Sequence, residues 1–189
     1  MFKQLFVLLF QLISAPTKTW EVLSEKQEEN NEDFQKGYLF LILGIIALLA
    51  FIGLLVSTKS FSFQEALKEV IKHLLIYAGS FYAVSIVLSE YLFPRFGLGK
   101  NKLLAERFTG YASSLIYIVA MIKALFPQFF LLEIIVFYTV YIVWTGAVKF
   151  LGIEENQWIK FTVFVSILIL SAPLLIRGII YLLMPGLAT

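Results

Sequence analysis

The stretch GYLFLILGIIALLAFIGLLV, residues Gly37 to Val56, decides the fold because it contains no charge, no proline and no side-chain amide. An α-helix rises roughly 1.5 Å per residue, so this stretch extends about 30 Å, the thickness of a bilayer's hydrocarbon core. Asp33 and Lys36 precede it and Lys59 follows it, which allows both ends to lie among lipid head groups. The sequence therefore predicts a membrane-spanning helix.

The composition of the whole chain is also that of a membrane protein. Of its 189 residues, 60% are hydrophobic and 15% are charged, and the mean hydropathy is +0.87. Cysteine is absent, His73 is the one histidine and Asp33 the one aspartate, so disulfides and thiolate or histidine-rich metal sites are excluded, and we expect no cofactor. The net charge of +2 is small and its cations are scattered, which argues against a nucleic-acid partner.

The N-terminal region, residues 1–36, is predicted to follow the cytoplasmic membrane surface. On a helix over residues 2–14 the polar side chains Lys3, Gln4, Gln11 and Ser14 share one stripe, which is typical of an amphipathic helix lying in the interface. A cleaved signal peptide is the alternative. Pro16 ends this helix, and a second short helix is expected to place Trp20 at head-group depth. The acidic residues 21–33 are read as a solvated linker, with an acidic docking site as the alternative.

Four further apolar stretches follow, each bounded by proline or by charged residues. Ser62 and Glu65 form a capping box that begins a long helix before the second span. The predicted spans are Leu74 to Phe93, Gly110 to Phe126, Phe129 to Val148 and Phe161 to Leu183. Spans three and four are separated by little more than Pro127, which predicts a tight antiparallel hairpin. We expect an all-α integral membrane protein with five transmembrane helices over residues 37–189, preceded by an interfacial amphipathic helix.

Lysine and arginine counts predict the orientation of these spans. Ten of these residues lie in the N-terminal region and the second and fourth loops, whereas five lie on the opposite side. Positive residues concentrate on the cytoplasmic side of membrane proteins. The N-terminus is therefore expected in the cytoplasm and the C-terminus outside it.

Short motifs accompany this order of spans: Pro16 and Trp20 in PTKTWEVL, Gly110 and Tyr111 opening the third span, and Trp144 and Gly152 in WTGAVKFLGIEENQW. Over nearly the whole chain this order resembles the Yip family, the Ypt/Rab-interacting membrane proteins, in the branch that is widespread in bacteria. The resemblance implies a cytosolic N-terminal region, five clustered spans and an extracytoplasmic C-terminus. For a bacterial chain it implies the inner membrane.

One departure from the family pattern bears on partners. Eukaryotic members that resemble the vesicle-trafficking prototype carry an Asp-Leu-Tyr-Gly-Pro segment before the first span, whereas Asp33 here is followed by FQKGY. The resemblance therefore does not imply Rab binding for this chain.

The charged residues at membrane depth are the candidate functional residues, because burying a charge in a bilayer is costly. Glu90 lies near the cytoplasmic end of span two. Lys123 and Glu133 flank the Pro127 hairpin and Arg177 lies late in span five, so an outer cluster of these three is one hypothesis. The alternative is that Lys123 and Arg177 reach the interface independently.

Two function classes fit these features. The preferred class is a non-enzymatic protein that organises the lipid bilayer or a protein partner at its cytoplasmic face. The alternative is a transporter or permease component, which at this length would act as a homo-oligomer. An intramembrane enzyme ranks third, because no serine, glutamate or histidine group has a catalytic spacing.

Overall fold

The computed structural model describes residues 2–25, 34–57 and 62–187, and within these ranges the chain forms helices and turns without a strand. The predicted acidic linker after Glu25 and the loop around Lys59 lie outside the described residues. The helices are α1 (Phe2–Ser14), α2 (Pro16–Glu25), α3 (Gln35–Val56), α4 (Phe63–Arg95), α5 (Lys102–Ala112), α6 (Ser114–Leu125), α7 (Leu132–Lys149) and α8 (Trp158–Leu183).

Four of the described helices, α3, α4, α7 and α8, are long and apolar enough to cross a membrane. Helices α5 and α6 form a fifth candidate as a pair that bends by 49°. The fold is thus an all-α bundle with four or five candidate membrane-spanning helices and a short apolar N-terminal helix.

Helices α5 and α6 begin earlier and run less straight than the predicted third span. Asn101 caps α5, since its Oδ1 accepts the Leu104 N–H at 3.0 Å, so the helix starts eight residues before Gly110. Ser113 leaves helical geometry at φ −84° and ψ 3°. The bend follows from this residue, where the helical hydrogen bonding is interrupted.

The other helices also differ from the predicted spans at their boundaries. Helix α4 continues through a π-helical turn, Leu88–Leu92, and ends beyond Pro94, which the prediction took as its stop. Gly97 ends it instead, because its positive φ of 79° brings the Leu98 N–H to the Phe93 carbonyl at 3.0 Å. Helix α7 starts at Leu132, after turns over residues 126–131, rather than at Phe129.

The N-terminal helices are packed into the bundle. Leu5, Leu9 and Leu12 of α1 are buried, and the helix contacts α6 and α5, while α2 lies along α7. The Tyr138 hydroxyl of α7 donates to the Ile13 carbonyl of α1 at 3.1 Å. Tyr138 lies eleven residues before the last residue of α7, so the end of α1 is roughly 16 Å from the C-terminal end of α7. The location of α1 relative to the bilayer surface stays a prediction. Trp20 is fully buried among protein side chains, and its predicted position at head-group depth stays a prediction.

The connections gather at two opposite ends of the bundle. The Gly97 end holds the turn between α4 and α5, the connection between α7 and α8, and the start of α3, as the contacts of Phe96 with Phe161 and of Gln35 with Glu106 show. The Pro127 end holds the turn between α6 and α7, the start of α4 and the end of α8, which line one cavity. At the Pro127 end, a Cβ built on Gly53 of α3 would lie 1.8 Å from the Ala124 carbonyl oxygen of α6. Glycine is therefore required there for the two backbones to meet.

Candidate functional site

The family-like motif residue Trp20 is the centre of a buried aromatic cluster near the Gly97 end. Its ring stacks on Phe108 at 5.4 Å and lies 5.1 Å from Phe150, and its Nε1 donates to the Ile142 carbonyl at 3.0 Å. A Cβ on Gly146 would lie 2.7 Å from the same indole. Glycine at position 146 thus provides the space that fixes α2 against α7.

Gly110 and Tyr111 pack beside this cluster. Tyr111 contacts Trp20 edge-on at 6.1 Å, and a Cβ on Gly110 would lie 2.6 Å from the Phe34 ring. The Tyr38 hydroxyl reaches the Gly110 carbonyl at 3.3 Å and Ser114 Oγ at 2.7 Å. These residues join α3 to the bent α5 and α6 pair, so their geometry is that of helix packing.

Trp144 and Gly152 lie apart from the buried cluster. Trp144 is 42% exposed and packs against Tyr141 on the outer surface of α7, with ring centroids 5.8 Å apart. Gly152 has φ +64° in the turn after α7, where the Ile153 N–H reaches the Ala147 carbonyl at 3.0 Å. The two tryptophans of the motifs therefore have opposite environments.

A buried carboxylate at the Gly97 end was not anticipated from the sequence. Glu106 of α5 is 1% exposed, accepts a hydrogen bond from Gln35 Nε2 at 3.0 Å and lies 3.8 Å from Lys102 Nζ. Glu106 lies between the predicted second and third spans, in a stretch that was expected to be a loop, and it was therefore not a candidate residue. The sequence feature that could have indicated it is the helix cap at Asn101, because the helix that begins there places Glu106 inside the bundle.

Glu90 lies on the outside of the Gly97 end rather than within the bundle. It is exposed in the π-helical turn and pairs with Lys100 of the following loop. The carboxylate raises the pKa of the Lys100 ammonium by hydrogen bonding and charge attraction. This environment does not impose the burial cost that made Glu90 a candidate.

The Pro127 end contains an open cavity of about 430 Å³ between α3, α4, α6 and α8. Its charged and polar lining residues are Glu69, Lys72, His73, Tyr77, Lys123, Arg177 and Tyr181. Lys72 pairs with Glu69, and His73 Nδ1 donates to the Glu69 carbonyl at 2.9 Å. Among the described residues no group of three histidine or acidic side chains is arranged to hold a metal ion.

Of the three residues in the predicted outer cluster, Lys123 and Glu133 form an ion pair, whereas Arg177 does not join it. Lys123 Nζ is ion-paired with the Glu133 carboxylate across the turns between α6 and α7. Arg177 lines the same cavity as Lys123, but its Nε is buried without a hydrogen-bond partner. No ion pair of Arg177 occurs within the described part of the chain.

A much smaller cavity lies deeper in the bundle and shares Tyr77 with the open one. It measures about 10 Å³ and is lined by Ser80, Ser113 and Tyr117 together with apolar side chains. This volume is that of one water-sized probe. The deeper cavity therefore has room for about one water molecule.

Glu69, Lys72 and His73 were not among the candidate residues predicted from the sequence. Their signal was present, because positions 69, 72 and 73 have the i, i+3, i+4 spacing of one helix face. The local pattern could not show the opposite wall of the cavity, which α6 and α8 form from distant parts of the chain.

These features define a helical integral membrane protein with polar groups at both ends of its bundle. A protein-family model, the Yip1 domain, matches residues 10–184, nearly the whole chain. The chain belongs to this family. Searches of curated proteins and of solved structures found no significant match.

Proposed function

We propose that this Yip-family membrane protein organises a partner protein or the bilayer through its Gly97 end and catalyses no reaction. The observation that carries the proposal is the attachment of α2 to the bundle. Trp20 is buried against α5 and α7, and Glu21 pairs with Lys149 at 2.6 Å. A partner that contacts α2 would thus be coupled rigidly to the membrane-embedded helices.

The same end presents many charged side chains for such a contact. Exposed charged residues at this end include Glu25, Arg95, Lys100, Glu154, Glu155 and Lys160. Mixed charge on exposed turns is suited to selective contacts with proteins or lipid head groups. The family's trafficking partners are not expected, because the Asp-Leu-Tyr-Gly-Pro segment is absent.

We further propose that the Gly97 end faces the cytoplasm and that the chain crosses the membrane five times, with α5 and α6 as one bent span. The lysine and arginine distribution supports this orientation. For a bacterial chain the membrane would be the inner membrane. The C-terminus would then lie outside the cytoplasm.

Photo-crosslinking in native membranes tests the proposed partner contact. A photoreactive residue at Glu25 should give one stoichiometric protein or lipid adduct, because this position ends α2 at the Gly97 end. The same residue at Gln128, at the Pro127 end, should not give that adduct. Asn156, also at the Gly97 end, is a second position for the photoreactive residue. The proposal is contradicted if positions 25 and 128 give equal adducts, or if neither position 25 nor position 156 gives an adduct.

A transporter component is the second candidate function, favoured by the two cavities that share Tyr77. In that case the narrow cavity would be the gate and a homo-oligomer would form the active unit. Purified protein in liposomes should then pass an ion or small solute. Ser113→Leu, which fills the narrow cavity, should abolish the flux, and Glu90→Gln should reduce it if this exposed end is the other mouth. Absence of flux across a panel of ions and solutes would exclude this function.

A further inference from the structure

We propose that the open cavity at the Pro127 end binds a phosphate group, carried by an anionic phospholipid or supplied as free phosphate. The inference goes beyond the proposed function, which concerns the opposite end of the bundle. The cavity's volume of about 430 Å³ is within the usual range for small-ligand sites. It therefore has room for a phosphate and part of the group that carries it.

The cavity carries an excess of positive charge. Lys72, Lys123 and Arg177 line it, whereas Glu69 is the one acidic lining residue among those that the structure describes, and Glu133 pairs with Lys123. Among the described residues three cations thus stand against two carboxylates, and Glu133, which pairs with Lys123, also attracts Arg177. The third cation, Arg177, has no carboxylate of its own among the described residues.

The state of Arg177 points to a missing anion. Its Nε is buried and makes no hydrogen bond. A buried donor without a partner costs free energy, and a guanidinium costs more than a neutral group. Arg177 lines the cavity, so an anion held there would pair with its guanidinium charge.

The arrangement of the cations favours phosphate over carboxylate. Lys72, Lys123 and Arg177 come from three different helices, α4, α6 and α8, and so approach the cavity from three sides. A phosphate is tetrahedral and can accept hydrogen bonds from several directions, whereas a planar carboxylate is satisfied by one arginine.

The position of the cavity makes a lipid head group available. It opens where α3, α6 and α8 end and where α4 begins. The ends of membrane-spanning helices lie at the depth of phospholipid head groups. Free phosphate would reach the same cavity from the aqueous side, so the two sources must be separated by experiment.

Thermal unfolding of the full chain in a nonionic detergent provides the test. Phosphatidylglycerol is compared with a diacylglycerol that has the same acyl chains, and inorganic phosphate with chloride at equal ionic strength. We expect at least one of the two phosphate compounds to raise Tm in a saturable manner, while its comparator does not. Saturation by the lipid alone identifies a head group, and saturation by inorganic phosphate alone identifies free phosphate.

Arg177→Gln should weaken the apparent affinity by about tenfold or more, because it removes charge-assisted hydrogen bonds. The matched control is Arg95→Gln, which makes the same change at the exposed Gly97 end and should stay within about twofold of the unmodified protein. If Arg177→Gln does not fold, Lys72→Gln tests the same cavity from α4, and a weakening of about threefold or more is expected. The proposal is overturned if neither phosphate compound raises Tm above its comparator, or if the folded cavity variants bind as tightly as Arg95→Gln.

Discussion

The two ends of the bundle use their polar and aromatic residues in different ways. At the Gly97 end, large rings pack around Trp20, and the buried Glu106 has Gln35 and Lys102 beside it. At the Pro127 end, cations surround an open cavity. The first arrangement fixes helices to one another. The second leaves Arg177 without an ion-pair partner among the described residues, as expected of a binding site.

This difference shows why charge at membrane depth is an incomplete guide to function. Glu90, Lys123, Glu133 and Arg177 looked alike in the sequence. In the structure Glu90 and Glu133 are exposed and paired, and Lys123 is partly buried and paired. Arg177 alone among these four combines a buried donor that has no hydrogen-bond partner with a place in the lining of the open cavity.

The largest expected effect concerns which end faces the cytoplasm. The chain has no cysteine, so Gln128→Cys and Asn156→Cys each introduce a unique thiol at opposite ends of the bundle. In intact cells a membrane-impermeant maleimide should label Gln128→Cys and should not label Asn156→Cys until the cells are lysed. Labelling of both without lysis, or the reverse pattern, would contradict the proposed orientation.

The aromatic packing at the Gly97 end should dominate the stability of the protein. We expect Trp20→Ala to lower the free energy of unfolding in detergent by about 3–5 kcal/mol, because the side chain is fully buried and fixes α2 to α7. Trp144→Ala is the matched control, and it should cost about 1 kcal/mol or less because this side chain is exposed on α7. Equal losses for the two tryptophans would mean that α2 does not depend on the buried cluster.

The comparison of these tryptophans also shows what the sequence could predict. Apolar run lengths depend on local composition, so the long helices were predicted, and the family is confirmed by its domain model. The burial of Trp20 depends on Phe108 and Gly146, which are distant in the chain. Pattern and propensity do not report such contacts, and for this reason the burial of Trp20 within the bundle was not predicted.

The candidate cavity could be predicted only in part, for a similar reason. Lys123 and Arg177 were recognised because charge is rare in apolar helices. Glu69, Lys72 and His73 were not predicted as site residues. Their role requires the position of α4 relative to α6 and α8, which follows from packing at glycine sites such as Gly53 and not from local pattern.

A smaller effect is expected from helix packing at the Pro127 end. Gly53→Ala should lower the free energy of unfolding by about 1–3 kcal/mol, since its Cβ would overlap the Ala124 carbonyl and force α3 away from α6. Gly44→Ala in the same helix has nothing within 4 Å of its new Cβ and should be neutral or stabilising by up to about 1 kcal/mol. Equal stability of the two variants would show that α3 and α6 do not approach as closely as described.

The smallest expected effect is the coupling between Lys123 and Glu133, which a double-mutant cycle measures. Lys123→Met and Glu133→Leu should each lower the free energy of unfolding, and the double variant should recover part of the loss. The coupling should be about 0.2–1 kcal/mol, because the Glu133 side chain is 63% exposed and solvent screens the pair. Additive losses would support independent contacts of the two side chains with the interface.

The matched pair for this cycle is Lys100 and Glu90 at the Gly97 end. The Lys100 and Glu90 side chains are 66% and 45% exposed, whereas those of Lys123 and Glu133 are 28% and 63% exposed, so only the second pair has a partly buried lysine. Because a more exposed pair is screened more strongly, Lys100→Met and Glu90→Leu should show the weaker coupling, and salt should reduce it further. A stronger coupling between Lys100 and Glu90 would mean that ion pairs also stabilise the Gly97 end. The two ends would then not differ in how much they depend on surface ion pairs.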